Sequence, residues 1–285
     1  MPDPSFVLPL ILQSAFVPFG LTLAVLVILG ATRLRDSAAA IALTIGFVAS
    51  YFAVFHAQWS FVPNQALDWM PWIAVLGTAG ALATERACDA RVRLVARLAM
   101  SIVTAGVVVW PALASVGPQK AMVALMTTAV FIWTAWTYLA RATASRPTPP
   151  FVLAIVAGGT ALTLVLDSSQ SIGQLSGALA SALVAFIAFN VPRLRTAFSG
   201  AAAGIAVLLL GALLANAILY AGISIGYVAL LAAGLLADPV VEWVNGLRQR
   251  SSGAGSWVTA AALTAIPVVA TIGLAIKEMQ EVGGY

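Results

Sequence analysis

The sequence predicts an all-α, polytopic integral membrane protein of about ten transmembrane helices, with both termini outside and a 5+5 inverted-repeat arrangement of its halves. Three observations point that way. The first is composition. Of 285 residues, 61% are apolar and 8% are charged, with a mean hydropathy of +1.01, whereas a soluble domain carries about 25% charged residues. So few charges cannot cover a water-soluble fold of this length. A disordered chain, a collagen-like fibre and a disulfide-rich scaffold are excluded too, the last because Cys88 is the only cysteine. The second observation is a series of long apolar runs without strand alternation, which excludes a β-barrel. The third is the placement of the basic residues on alternate loops.

A hydrocarbon core about 30 Å thick takes roughly 20 apolar residues per helix. The first run, 6–32, begins beside MPDPSF, which has no basic residue. It is too long for a signal-peptide core and no cleavage site follows, so it reads as a retained first helix. The next runs are 38–56, then the short 70–86, 95–115 and 121–140. Then come 150–167, also short, and 170–191, whose start at Ser168-Ser169 supplies an N-cap. The last three are 198–220, 223–245 and 256–277.

Followed alternately through these spans, one set of loops receives all twelve arginines: Arg33 and Arg35; Arg86, Arg91, Arg93 and Arg97; Arg141 and Arg146; Arg193 and Arg195; Arg248 and Arg250. The other set receives only Lys120 and Lys277. The positive-inside rule makes the arginine side cytoplasmic and puts both termini outside. Trp133, Trp136 and Tyr138 before Arg141, and Trp243 and Trp257 around the last inner loop, read as an aromatic belt. The excess of arginine over lysine and the abundant alanine suit a GC-rich bacterium, hence a bacterial cytoplasmic (inner) membrane.

Residues 142–149, within ATASRPTPP, form a cytoplasmic linker between a first five-helix half, 1–141, and a second, 150–285. An odd number of spans per half turns the second half upside down, as in many secondary transporters. There, broken helices at matching positions mark the substrate site. Span one carries Pro18-Phe19-Gly20 and span six carries Gly158-Gly159, each near its middle. The plainer alternative is kinks and close packing, for which membrane helices use Gly and Pro freely.

On span seven, Gln170, Gln174, Gly177 and Ser181 follow one helical face. With Gln13 on span one and Asn216 on span eight they form a candidate outward-facing polar funnel. The alternative is interhelical hydrogen bonding, worth about 0.6–2 kcal/mol each. Asp238 and Glu242, one turn apart on span nine, are a candidate coupling pair; the alternative is pairing with inner-loop arginines such as Arg248 or Arg250. The small-residue pairs Gly173/Gly177, Gly200/Gly204 and Gly222/Gly226 predict close packing of spans seven to nine.

Catalytic signals are thin. His56, the only histidine, could act with Asp68 and Asp167 as an outer acid–base group, but a lone histidine at a boundary is more often a wet interfacial residue. Haem, iron–sulfur and zinc sites need more His and Cys than one of each, so no cofactor is expected. There is no Walker, GxSxG or HExxH motif. The net charge of +4 comes from arginines that set topology and meet anionic lipids, which argues against nucleic acid. Two functions fit: a secondary transporter or exporter of a small neutral or amphiphilic solute, or a non-catalytic structural or assembly subunit of a larger membrane complex. A lipid-modifying enzyme fits less well. The expected partners are membrane lipids, other membrane subunits or a second copy in a homodimer.

Overall fold

The computed structural model describes residues 9–57, 59–144, 147–167, 169–191, 195–236, 240 and 256–282. Every regular element among them is helical. Ten helices carry the architecture: α1 (Val17–Gly30), α2 (Ala38–Phe55), α3 (Met70–Arg86), α4 (Ala90–Val109), α5 (Pro118–Ala142), α6 (Pro149–Asp167), α7 (Gln170–Asn190), α8 (Gly200–Asn216), α9 (Ile225–Gly234) and α10 (Ser256–Val282). Among the described residues, nine helical segments are long and apolar enough to cross a membrane. The remaining one, α9, is a shorter apolar helix. The rest of the expected ninth span, including Asp238 and Glu242, lies outside the described residues.

Helix α8 is the axis of the bundle. It is apolar around its whole circumference, which suits a helix with no solvent-facing side, and residues 201–217 are all buried. It packs against α2, α3, α4, α5, α6 and α7. Lipid tails are as apolar as leucine, so helices here associate through close van der Waals contact rather than hydrophobic expulsion. Glycine supplies that contact. A Cβ on Gly204 would overlap the Trp136 ring, one on Gly211 would overlap Ile132, and one on Gly200 would lie 3.3 Å from Ala140 Cβ. Gly204 and Gly211 are thus sockets for α5, while Gly200 lies closest to Glu85 of α3, whose Oε2 would be 2.6 Å from its Cβ. The other expected pair, Gly173 and Gly177, seats α6 instead: a Cβ on Gly173 would lie 2.6 Å from Val165, and one on Gly177 3.7 Å from Ala161. Gly222 adopts φ +71° as the turn that ends the α8 segment, and Gly226 has only Ser224 within contact distance. The small residues signalled close approach correctly, but the partners are α3, α5 and α6 rather than spans seven to nine among themselves.

Two element boundaries differ from the expected ones for a local reason. Helix α4 starts at Ala90 rather than near 95, because the Asp89 side chain caps it by accepting from Arg91 N at 2.8 Å. Arg91, Arg93 and Arg97 are therefore on the helix, not in a loop. Helix α5 starts at Pro118, in the first helical turn where its missing N–H costs nothing, after Gly117 at φ +82°.

Interior hydroxyls and amides are largely satisfied by their own helices. Thr44, Thr160, Ser176, Thr264 and Thr271 each donate to the carbonyl four residues earlier, as does Asn190 Nδ2 to Phe186 O. The halves are not packed as copies of one another: α10 lies along α6, whereas α5 lies along α4 and along α8 of the other half.

The tightest crossing joins α1 to α2 at Gly46, where a Cβ would overlap Thr22 Oγ1 and sit 2.8 Å from the Pro18 carbonyl oxygen. Thr22 Oγ1 donates across the same crossing to Ala42 O at 3.3 Å. We expect Gly46→Ala to cost about 1–3 kcal/mol by forcing these backbones apart. Gly20→Ala, with open space around it, should be neutral or gain about 0.5–1 kcal/mol from helix propensity. Unfolding midpoints in detergent, compared with wild type, test both.

Candidate functional site

The two ends of the bundle carry different chemistry. At the end that receives the N-terminal segment, α1 is preceded by a π-turn, Leu12–Phe16, closed by Val17 N bonding Leu12 O. Pro18 explains it. Proline has no N–H to return to the carbonyl four residues back, and its ring crowds that carbonyl. A π-turn relieves the crowding and leaves loosely used backbone, as π-bulges at functional sites often do. The loosened carbonyls are answered by hydroxyls: Ser50 Oγ of α2 donates to Gln13 O at 2.6 Å, and Ser14 Oγ donates to Leu10 O at 2.6 Å. Across the interface, a Cβ on Gly177 of α7 would lie 3.8 Å from Ser14 Cβ and 3.9 Å from Ser14 O. Gln174, one turn earlier on α7, is buried, and Gln170 at the start of α7 is exposed.

The structure therefore brings together the π-turn bearing Gln13, Ser50 and the α7 face bearing Gln174 and Gly177. It distributes the other expected residues differently. Pro18 is buried against Gly46, while Gly20 faces open space. Gly159 is a socket for Val268 of α10, and Gly158 faces Ala180 of α7 at 3.9 Å from its would-be Cβ. Asn216 is fully buried on α8, where its Nδ2 donates to Ala212 O at 2.9 Å and its Oδ1 has no partner among the described residues. A second π-turn, Ala217–Ala221, follows it. Tyr220 in that turn donates to Val108 O of α4 at 3.0 Å.

Nearby, Asp68 is committed to structure. It accepts from Asn64 N and Gln65 N, each at 3.0 Å, and from Tyr51 Oη at 3.4 Å, so it organises the turn into α3. His56 and Asp167 are exposed.

The opposite end holds a feature the sequence did not disclose. Arg97, two turns into α4 and 8% exposed, places Nε at 3.1 Å and Nη2 at 2.6 Å from Glu85 Oε1 of α3. Its Cζ lies 5.8 Å from the Trp136 ring centre, and Trp136 Nε1 donates to Gly200 O at 3.1 Å. Trp136 is thus fully buried and takes no part in an interfacial belt. A buried cation inside a span must have a partner, since an unpaired one is expensive there. Above this pair opens a cavity of about 630 Å³, whose lining includes Arg91, Arg93, Thr137 and Arg141, with Ser199 and Gly200 at the N-terminus of α8. One sequence signal for it existed. With α4 begun at the Asp89 cap, Arg93 and Arg97 fall four apart on one helix face.

Compared with family models, characterised proteins and solved structures, the chain matches none.

Removing one partner of the Arg97–Glu85 pair leaves a charge in a poorly solvated place. Arg97→Met should cost about 3 kcal/mol, and the double variant Arg97→Met/Glu85→Leu clearly less. A double-mutant cycle on detergent unfolding checks this; equal losses in the single and double variants would show that the pair contributes only through packing.

Proposed function

We propose that the chain is a secondary transporter or exporter of a small neutral or amphiphilic solute in a bacterial cytoplasmic membrane, with its arginine end cytoplasmic and both termini outside. One observation carries the reading: the first helical segment, Pro9–Gly30, runs unbroken through a π-turn, and that turn is packed on α7, so a helix of the first half meets a helix of the second at loosened backbone. Many secondary transporters place their substrate between their two halves, against irregular helix backbone, and the π-turn on α7 offers such a junction even though the halves do not pack as copies of one another. Residues 1–141 and 150–285 are then the two five-helix halves, joined by the linker 142–149. In this reading the solute meets Gln13, Ser50 and Gln174, and Asn216 with its unanswered carbonyl lies along the path. Asp238 and Glu242 serve as the coupling pair. The second reading, a structural or assembly subunit of a larger complex, is favoured by the buried, alanine-rich surroundings of α8.

Cysteine labelling tests the reading. The native Cys88 is exposed in the turn between α3 and α4. In intact cells it should resist a membrane-impermeant maleimide and react once the inner face is opened. In a Cys88→Ser background, Gln174→Cys should be labelled from the outer face, as a residue on a solute path must be. A Gln174→Cys protein inert from both faces, together with stoichiometric other proteins in native-membrane purifications, would instead establish the subunit reading.

A further inference from the structure

We propose that the cavity at the arginine end binds a phosphate ester, with Arg93 and Arg141 as its principal anion ligands and Arg91 at its rim. This does not depend on the transport reading, which concerns the opposite end of the bundle.

The charge balance of the cavity carries the proposal. Four arginines line it, Arg91, Arg93, Arg97 and Arg141, against a single acidic lining residue, Glu85. Arg97 engages that carboxylate through its Oε1, and its Oε2 lies beside Gly200 at the N-terminus of α8, so one carboxylate answers one of the four arginines. Asp89, the nearest other acid in sequence, caps α4 through the Arg91 backbone nitrogen. Among the described residues, Arg91, Arg93 and Arg141 have no carboxylate within ion-pair distance. Three arginines without an ion-pair partner thus line one concave space, Arg93 half-buried and Arg91 and Arg141 exposed, and their shared positive field favours an anion there.

The neighbouring groups favour phosphate chemistry. Ser199 and Gly200 bring the N-terminus of the 17-residue helix α8 to the wall, and that end of a helix carries partial positive charge. Thr137 adds to the same wall, while its Oγ1, which has no hydrogen-bond partner among the described residues, is closed off from the cavity's solvent. A tetrahedral anion with several acceptor oxygens suits converging planar guanidinium forks better than a single carboxylate does. The size indicates an ester rather than the free ion: about 630 Å³ falls in the range of small-molecule sites. Leu94, Ala140 and Phe198 add apolar lining for the esterified group. Two sources supply this chemistry at a membrane surface, an anionic phospholipid head group and a water-soluble phosphate ester.

The test uses the purified, delipidated full chain and two probes: glycerol 3-phosphate, followed by titration calorimetry, and phosphatidylglycerol, followed by native mass spectrometry. Arg93→Gln/Arg141→Gln is compared with Arg33→Gln/Arg35→Gln, which removes the same charge from exposed arginines outside the cavity. We expect saturable binding of at least one probe, weakened about tenfold or more in the cavity variant and unchanged in the control. Saturation by glycerol 3-phosphate identifies a soluble ester; saturation by the phospholipid alone identifies a head group. A wild-type protein that binds neither saturably, or equal weakening in both variants, would overturn the proposal. Should the cavity variant not purify as a monodisperse protein, phenylglyoxal footprinting of the wild type decides. The bound probe must protect Arg93 and Arg141 while Arg33 and Arg35 stay reactive, and uniform reactivity would overturn the assignment.

Discussion

Between helices immersed in hydrocarbon, burying leucine against leucine gains little over burying it against lipid, so this fold depends on how closely its backbones can approach. That constraint converges on α8. Its glycines accept Trp136 and Ile132 of α5, and α3 answers with Gly77, whose would-be Cβ lies 3.2 Å from Ile205 and 3.3 Å from Leu208. Once α8 is enclosed on all sides, the rest of the bundle has fixed places. The arginine cavity is a feature of helices that pack around this axis, whereas the π-turn lies at the start of α1, one layer out, against α2 and α7.

The same logic accounts for how polar groups are handled. Backbone carbonyls freed by Pro18 cannot be left to lipid, and Ser50 on the neighbouring helix answers one of them. Arg97 cannot be left unpaired, and Glu85 answers it from α3, with the indole of Trp136 completing its surroundings. Where the corner between α7 and α8 needs donors satisfied, Asn190 Oδ1 accepts from Arg195 N and Thr196 N, each at 2.9 Å. Of these irregularities, the π-turn at Gln13 and the buried Arg97 are each matched by a specific side chain from another helix.

The helical class and nine of the expected spans could be read from the sequence because each span is a local property: a run of apolar residues closed by polar ones. What is not local stayed hidden. The start of α4 depends on the Asp89 cap, which a hydropathy reading overlooks because it counts the following arginines as loop. The partner of Arg97 lies twelve residues upstream on another helix, so no spacing rule announced it. Trp136 has the sequence context of an interfacial aromatic, and only the socket at Gly204 draws it inside. At the opposite end, Pro18 was legible as part of an interruption of span one, Pro18-Phe19-Gly20, and Gln13 as one of its polar residues. Gly159 was equally conspicuous in sequence, but there the backbone makes room for Val268 of α10.

The position of α8 also bears on how the protein is made. Membrane helices emerge from synthesis in chain order, yet the helix that touches six others is the eighth. Helices α1 and α2, and α4 and α5, have partners in one another before that, but the faces of α2 to α5 that meet α8 lack their final neighbour until the central piece is made. A nascent chain stopped before Gly200 would be inserted seven times and still lack its interior.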